Sequence, residues 1–214
     1  VIRALRGAAP YIRLFKGKTF VVKAGGGVFG DPQATRNIIE QIAILHSLGV
    51  RVVFVHGGGP QLTEVTEKLG VPTQMIEGRR VTDERSIDAT AMVLSGLINT
   101  RILATCRELD VPAIGISGVD AGLIQAHKRA PVKLQSSDAT VDYGFVGDID
   151  YIDTDVIRKL LDNGLMPVIS PLSSDDSGTL LNINADTVAA AIGAALGAEK
   201  LVLCTGAPGI LERV

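Results

Sequence analysis

Apolar positions along the 214-residue chain switch repeatedly between a period of two and a period near 3.6, the pattern of strands alternating with helices in an α/β protein. "TFVVK" (19–23) reads as the first strand. Asp31 then supplies an N-cap with Pro32 at the first helical position. Ile38, Ile39, Ile42, Leu45 and Leu48 form one apolar face, which Gly49 closes as a C′ residue. "RVVFVH" (51–56) is the second strand, and Pro60 opens a shorter helix that ends at Gly70. Residues 71–83, with turn chemistry at Glu77-Gly78, predict a hairpin or an extended flap. A helix over roughly 84–109 carries Ile87, Ala91, Leu94, Ile98, Ile102 and Leu109 on one side. "PAIGI", "LIQAHK" and "VDYGFVGDIDYI" predict further strands, the last with turn glycines at 144 and 147. A helix over 154–163, a buried strand "MPVIS" (166–170), a helix over roughly 186–196 and a last strand "KLVLCT" (200–205) complete the order. No helix follows "GAPGILERV" to cover that strand, and the first residue is valine. The chain therefore reads as a fragment or as the ordered part of a longer protein.

Composition narrows the partners. The formal net charge is −2, which gives no support for nucleic acid or an anionic membrane, and no apolar run has transmembrane length. Cys106 and Cys204 lie far apart in apolar segments and read as buried free thiols, which points to a reducing, cytoplasmic location. Three scattered histidines form no Cys/His cluster, so no metal site is predicted.

Chemistry concentrates in two glycine runs, "VVKAGGGVFG" (21–30) and "VVFVHGGGPQ" (52–61). A P-loop built on "GKT" (17–19) fails because Ile12 stands where its first glycine belongs and the triplet precedes a strand. Gly25, Gly27 and Gly30 spell a dinucleotide fingerprint, but the second strand ends in His56-Gly57, not in the acid that would bind a ribose. Taken together, the two runs each follow a strand and precede a helix. They belong side by side at the C-terminal edge of a parallel sheet, where bare amides, helix N-termini and Lys23 make a cradle for phosphoryl transfer. Tight βα turns with a solvated lysine are the plainer alternative.

"VVKAGGG", "VVFVHGGGPQ", "EGRRVTD", "ISGVDAGLI", "MPVIS" and "LLNINAD" occur in the order and spacing of the amino acid kinase family, which the chain resembles over essentially its whole length. The resemblance is strongest to members acting on N-acetyl-L-glutamate. It implies an open αβα sandwich with a mainly parallel central sheet and transfer of the ATP γ-phosphoryl group to the substrate's side-chain carboxylate. Mg²⁺ would be carried by the nucleotide. It also implies an N-terminal basic helix over 1–18, a part over 19–185 that binds the amino-acid substrate, and the start of an ATP-binding part over 186–214. Lys23 then stabilises the transferring phosphoryl group, with backbone support from Gly25 and Gly26. Gly58, Gly59, Arg80, Asn182 and Asn184 hold the substrate, Arg80 through its carboxylate, in preference to Arg79. Asp186 orients the catalytic lysine, although an aspartate before an alanine-rich helix is also an ordinary cap. Residues 182, 184 and 186 would share one side of an extended strand.

Thr205, Gly206 and Gly209 fall at the family's nucleotide loop. Gly206 replaces its aspartate, and the chain stops before a second catalytic lysine, so substrate binding is expected to outlast catalysis. "IRALRGAAPYIRLFKGK" resembles the extra N-terminal helix of arginine-inhibited members. That likeness implies a homo-oligomer, a dimer or a hexamer, with L-arginine as feedback inhibitor. From the residues alone it is a solvated basic helix, broken near Gly7 and Pro10. The rival expectation is a non-kinase domain of the same fold that senses arginine within an N-acetylglutamate synthase.

Overall fold

The computed structural model describes residues 2–134 and 138–206, and the side chains from residue 6 onward. α1 (Ile2–Phe15) is continuous, and the expected break near Gly7 and Pro10 does not occur. Gly7 has open space around it, and Pro10 forfeits a single backbone bond on a helix whose Tyr11 and Leu14 face solvent. Phe15 ties the end of this helix to the sheet through an edge-on contact with Phe20, centroids 5.2 Å apart.

β1 (Thr19–Ala24) runs into a 3₁₀ turn over Gly26–Gly30. α2 (Pro32–Ser47) starts as the sequence predicts, with Asp31 Oδ1 accepting the Gln33 N–H at 2.9 Å, and stops at Gly49 in the left-handed region. β2 (Arg51–His56) and α3 (Gly59–Lys68) repeat the order of strand, glycine loop and helix. β3 (Gln74–Ile76) and β4 (Arg79–Val81) form the expected hairpin. Ile76 faces Arg79, so the turn has two residues, Glu77 and Gly78, both with positive φ.

The long helix is three pieces end to end: α4 (Glu84–Ala91), a π-helical stretch Met92–Ile98 and α5 (Asn99–Glu108). By length and composition alone Glu84–Glu108 could cross a membrane. Here it is a core helix, with Val93, Leu94, Ile98, Ile102 and Cys106 buried.

β5 (Ala113–Ser117) and β6 (Ile124–Lys128) follow, then a two-residue ladder of β7 (Val132–Lys133) with β8 (Thr140–Val141). The strand expected over 141–152 shrinks to β9 (Gly147–Ile152), because Gly144 turns the chain at a φ of +74°. The residues before it stitch the hairpin to the core instead. Tyr143 O accepts the Thr82 N–H at 2.9 Å, Phe145 N–H donates to Thr82 O at 2.7 Å, and Phe145 O accepts the Asn182 N–H at 2.8 Å. A Cβ on Gly144 would lie 2.2 Å from Thr82 O, so this stitch requires glycine. α6 (Asp155–Asp162), β10 (Met166–Ser170), β11 (Leu172–Ser174), β12 (Leu180–Asn182), α7 (Ala185–Leu196) and β13 (Lys200–Cys204) complete the described chain.

The central sheet is parallel, in the order β13-β1-β2-β10-β5. Its middle strands are apolar on both faces because helices or a second sheet cover both. Phe20, Val22, Val52, Phe54 and Val168 pack with α2, α3 and the long helix. Val21, Val53, Val55 and Ile169 pack on the other side, with α6, α7 and the second sheet, β12-β11-β6-β9. The period of two therefore decides where the strand ends point. Lys23 shares the face of Val21, toward α7, whereas His56 shares the face of Phe54, toward the long helix.

Candidate active site

Strands β1 and β2 end level with one another, Lys23 opposite Val55 and Ala24 opposite His56, so both glycine loops leave the same edge of the sheet. Between these loops, the β3–β4 hairpin and the N-terminus of α7 lies a cleft of about 490 Å³. It brings together Lys23, Gly25, Gly26, Gly58, Gly59, Arg80, Asn182, Asn184 and Asp186, residues that span most of the chain. Thr205 and Gly206 follow β13 beside the first glycine loop and do not line the cleft. Gly209 lies outside the described residues.

Lys23 is 7% exposed, and its Nζ meets both carboxylate oxygens of Asp186 at 2.9 and 3.0 Å. Asp186 is free to do this because it does not cap its helix. Asn184 does, its Oδ1 accepting the N–H groups of Asp186 at 2.8 Å and Thr187 at 3.1 Å. The shared strand face expected for 182, 184 and 186 is corrected accordingly: β12 ends at Asn182, and Asn184 and Asp186 reach the cleft from the start of a helix. Asn184→Ala should lower stability by about 1 kcal/mol in urea denaturation, and Asn184→Ser should regain most of it.

The glycines do two different jobs. A Cβ on Gly26 would stand 2.9 Å from Gly58 Cα and Gly59 N, and 2.7 Å from Pro60 Cδ, so the two loops touch backbone to backbone. Gln61 Nε2 donates to Gly26 O at 2.8 Å and holds that contact from α3. A Cβ on Gly58 would meet Ile98 Cδ1 at 2.3 Å and Leu94 Cδ2 at 2.5 Å, which wedges this glycine against the π-helical stretch. Gly59 has open space. The Gly25 N–H is already given to Cys204 O at 3.3 Å, whereas the N–H groups of Gly26 and Gly58 have no protein partner among the described residues. Among the glycines lining the cleft, the N–H groups of Gly26, Gly58 and Gly59, the last at the start of α3, are thus without an acceptor among the described residues.

Arg80 reaches back from the hairpin to α3. Its Nη1 donates to Thr73 Oγ1 at 2.9 Å, and its Nη2 to Gly59 O at 3.2 Å and to the Thr63 hydroxyl. Every one of these partners is neutral, and burial lowers the pKa of the guanidinium. A half-buried cation without a counter-charge among the described residues is an unfinished ion pair. Arg79, its exposed neighbour, also lines the cleft. So do Tyr143 and Arg129, which sequence reasoning missed. Arg129 is clasped by Asp148 through Nε and Nη2, and that carboxylate raises its pKa. Tyr143 is buried, with its hydroxyl near Ile76 O at 3.4 Å. Neither carries a local signal, since each is brought in by contacts with the hairpin or β9. Lys23, Arg79, Arg80 and Arg129 against Asp186 alone give the lining a surplus of positive charge among the described residues.

A parallel α/β sandwich with twin glycine loops, free amides and a surplus of cations at one strand edge defines a protein of the phosphotransferase class. The chain belongs to the amino acid kinase family, whose sequence pattern matches residues 18–213. It is 49% identical to the acetylglutamate kinase of Myxococcus xanthus over 99% of this chain and 70% of that protein. It is 42% identical to that of Novosphingobium aromaticivorans over 96% of this chain and 71% of the relative. Among solved structures it resembles the N-acetylglutamate synthase from Neisseria gonorrhoeae complexed with coenzyme A and L-arginine. The TM-score is 0.82 at 28% identity, over 99% of this chain and 49% of that one.

Proposed function

We propose that the chain transfers the γ-phosphoryl group of ATP to the side-chain carboxylate of N-acetyl-L-glutamate, forming an acyl phosphate. The observation that carries this reading is the buried Lys23, paired with Asp186 and set beside free glycine amides. Such a site suits the chemistry. The nucleophile is a carboxylate, already ionised near neutral pH, so no general base is required. A carboxylate oxygen attacks the γ-phosphorus, the bond to the bridging oxygen breaks, and its electron pair leaves with ADP. What the protein must supply is position and positive charge for oxygens that repel one another.

Lys23 faces the transferring group, and Asp186 keeps its ammonium from drifting onto the substrate carboxylates. Gly26 and Gly58 offer amide donors. Arg80 completes its ion pair with the substrate carboxylate that does not react, and Asn182 also lines the cleft. Mg²⁺, arriving with the nucleotide, supplies further charge neutralisation. Asp186 is the only carboxylate lining the cleft among the described residues, which fits a metal held mainly by phosphate oxygens. The free thiols of Cys106 and Cys204 accord with a cytoplasmic enzyme.

The full-length protein, given ATP, Mg²⁺ and N-acetylglutamate, should form a product that hydroxylamine traps. An intact preparation that makes none overturns the reading. The likeness to the Neisseria synthase supports a second one, an arginine-sensing domain. Tight L-arginine binding without acyl phosphate formation is its signature.

A further inference from the structure

His56 is fully buried at the end of β2, on the face of the sheet opposite Lys23, and the chemistry above makes no use of it. Its ring is nevertheless closely specified. Asn99, at the junction of the π-helical stretch with α5, presents Nδ2 to His56 Nε2 at 3.2 Å and to Val168 O at 3.0 Å. An amide NH₂ only donates, so His56 Nε2 must accept, which places the ring proton on Nδ1. Nδ1 lies 3.1 Å from Gly57 O, an acceptor, and the two assignments agree. Phe29 stacks edge-on against the ring with centroids 6.0 Å apart. Burial lowers the imidazole pKa to about 4, so one neutral tautomer persists at ordinary pH.

The carbonyl held by this proton shares a peptide plane with the Gly58 N–H, and in a trans peptide the two point in opposite directions. Every peptide described here is trans. Drawing Gly57 O inward toward His56 therefore turns the Gly58 N–H outward. Gly58 lines the cleft, and its N–H has no protein partner among the described residues. We propose that His56, locked as its Nδ1–H tautomer by Asn99, is a positioning residue that aims the Gly58 amide at an anionic oxygen of the bound substrate. Glycine at 57 and 58 leaves this peptide free to flip, so an external clamp has something to fix.

The proposal rests on the phosphotransferase reading, and wild-type acyl phosphate formation tests that reading first. Asparagine superimposes its NH₂ on Nδ1, whereas glutamine places its amide near Nε2. In the active full-length protein, His56→Asn should keep KM for N-acetylglutamate within about threefold, and His56→Gln should raise it about tenfold or more, the loss of one amide donor to a charged acceptor. A role in packing alone would affect the two variants alike, and equal KM values overturn the proposal. A second measurement needs no variant. In wild-type protein labelled at its three histidines, nitrogen NMR should show one ring with protonated Nδ1 and bare Nε2, unchanged between about pH 6 and 8. A buried ring with the proton on Nε2, or one that titrates in that range, overturns it as well.

Discussion

Lys23→Met should lower kcat for acyl phosphate formation by about 10²- to 10³-fold, the usual cost of removing one preorganised donor from developing charge. Binding of N-acetylglutamate should change far less, with KM within about threefold. Methionine keeps the stem length and fits the apolar wall of β1, where Lys23 is 7% exposed. Asp186, left without its partner, is half exposed and can turn to water, so the fold should survive. Thermal unfolding checks that survival and steady-state kinetics check the rest. A rise in KM with kcat unchanged would reassign the lysine to substrate binding, since it would then act in the ground state as strongly as in the transition state. The pair with Asp186 also sets the sign of a companion result. Asp186→Asn keeps an acceptor for Lys23 but loses the charge that competes with the substrate, so activity should fall by less than in Lys23→Met.

Much of this site is legible in the sequence because β1 and β2 are apolar on both faces. Such strands read as continuous runs, and the residues that end them, Lys23 and His56, stand out against their neighbours. The hairpin is legible for a different reason: Glu77-Gly78 supplies two adjacent residues that accept positive φ. Other features leave no local trace. The π-helical stretch Met92–Ile98 has an ordinary helical pattern, and only the packing of Leu94 and Ile98 onto Gly58 shows what it does. The choice between Asn184 and Asp186 as the cap of α7 is settled by Lys23, 163 residues from Asp186 in sequence, which claims one of the two carbonyl-bearing side chains. The glycine runs also carried a second meaning. Read from sequence, they open the backbone to an anion. In the fold, Gly26 and Gly58 are needed first to let the two loops and the long helix touch.

Arg80→Lys should raise KM for N-acetylglutamate about tenfold to a hundredfold, with kcat affected much less. The substitution keeps the charge, so the loss isolates geometry. A guanidinium has five donors in a fixed plane, and here three contacts, to Thr73, Thr63 and Gly59 O, hold that plane against α3 while leaving donors for a carboxylate. An ammonium has three donors and cannot meet the threonines, the carbonyl and a carboxylate fork together. Stability should change little, because the partners it abandons are two hydroxyls and a carbonyl near solvent. Arg79→Lys provides the comparison within the same hairpin. Arg79 borders the same cleft but is exposed and makes no ion pair among the described residues, so its replacement should move KM by less than about threefold. The two variants should share a weak response to salt. Arginine and lysine carry the same charge and are screened alike, so raising ionic strength should not erase a difference between them. It should leave most of the Arg80→Lys effect in place, because what the half-buried site loses is the hydrogen-bonded fork and not the charge. If Arg79→Lys carries the larger effect, the substrate carboxylate pairs with the exposed neighbour and Arg80 serves only to fasten the hairpin to α3.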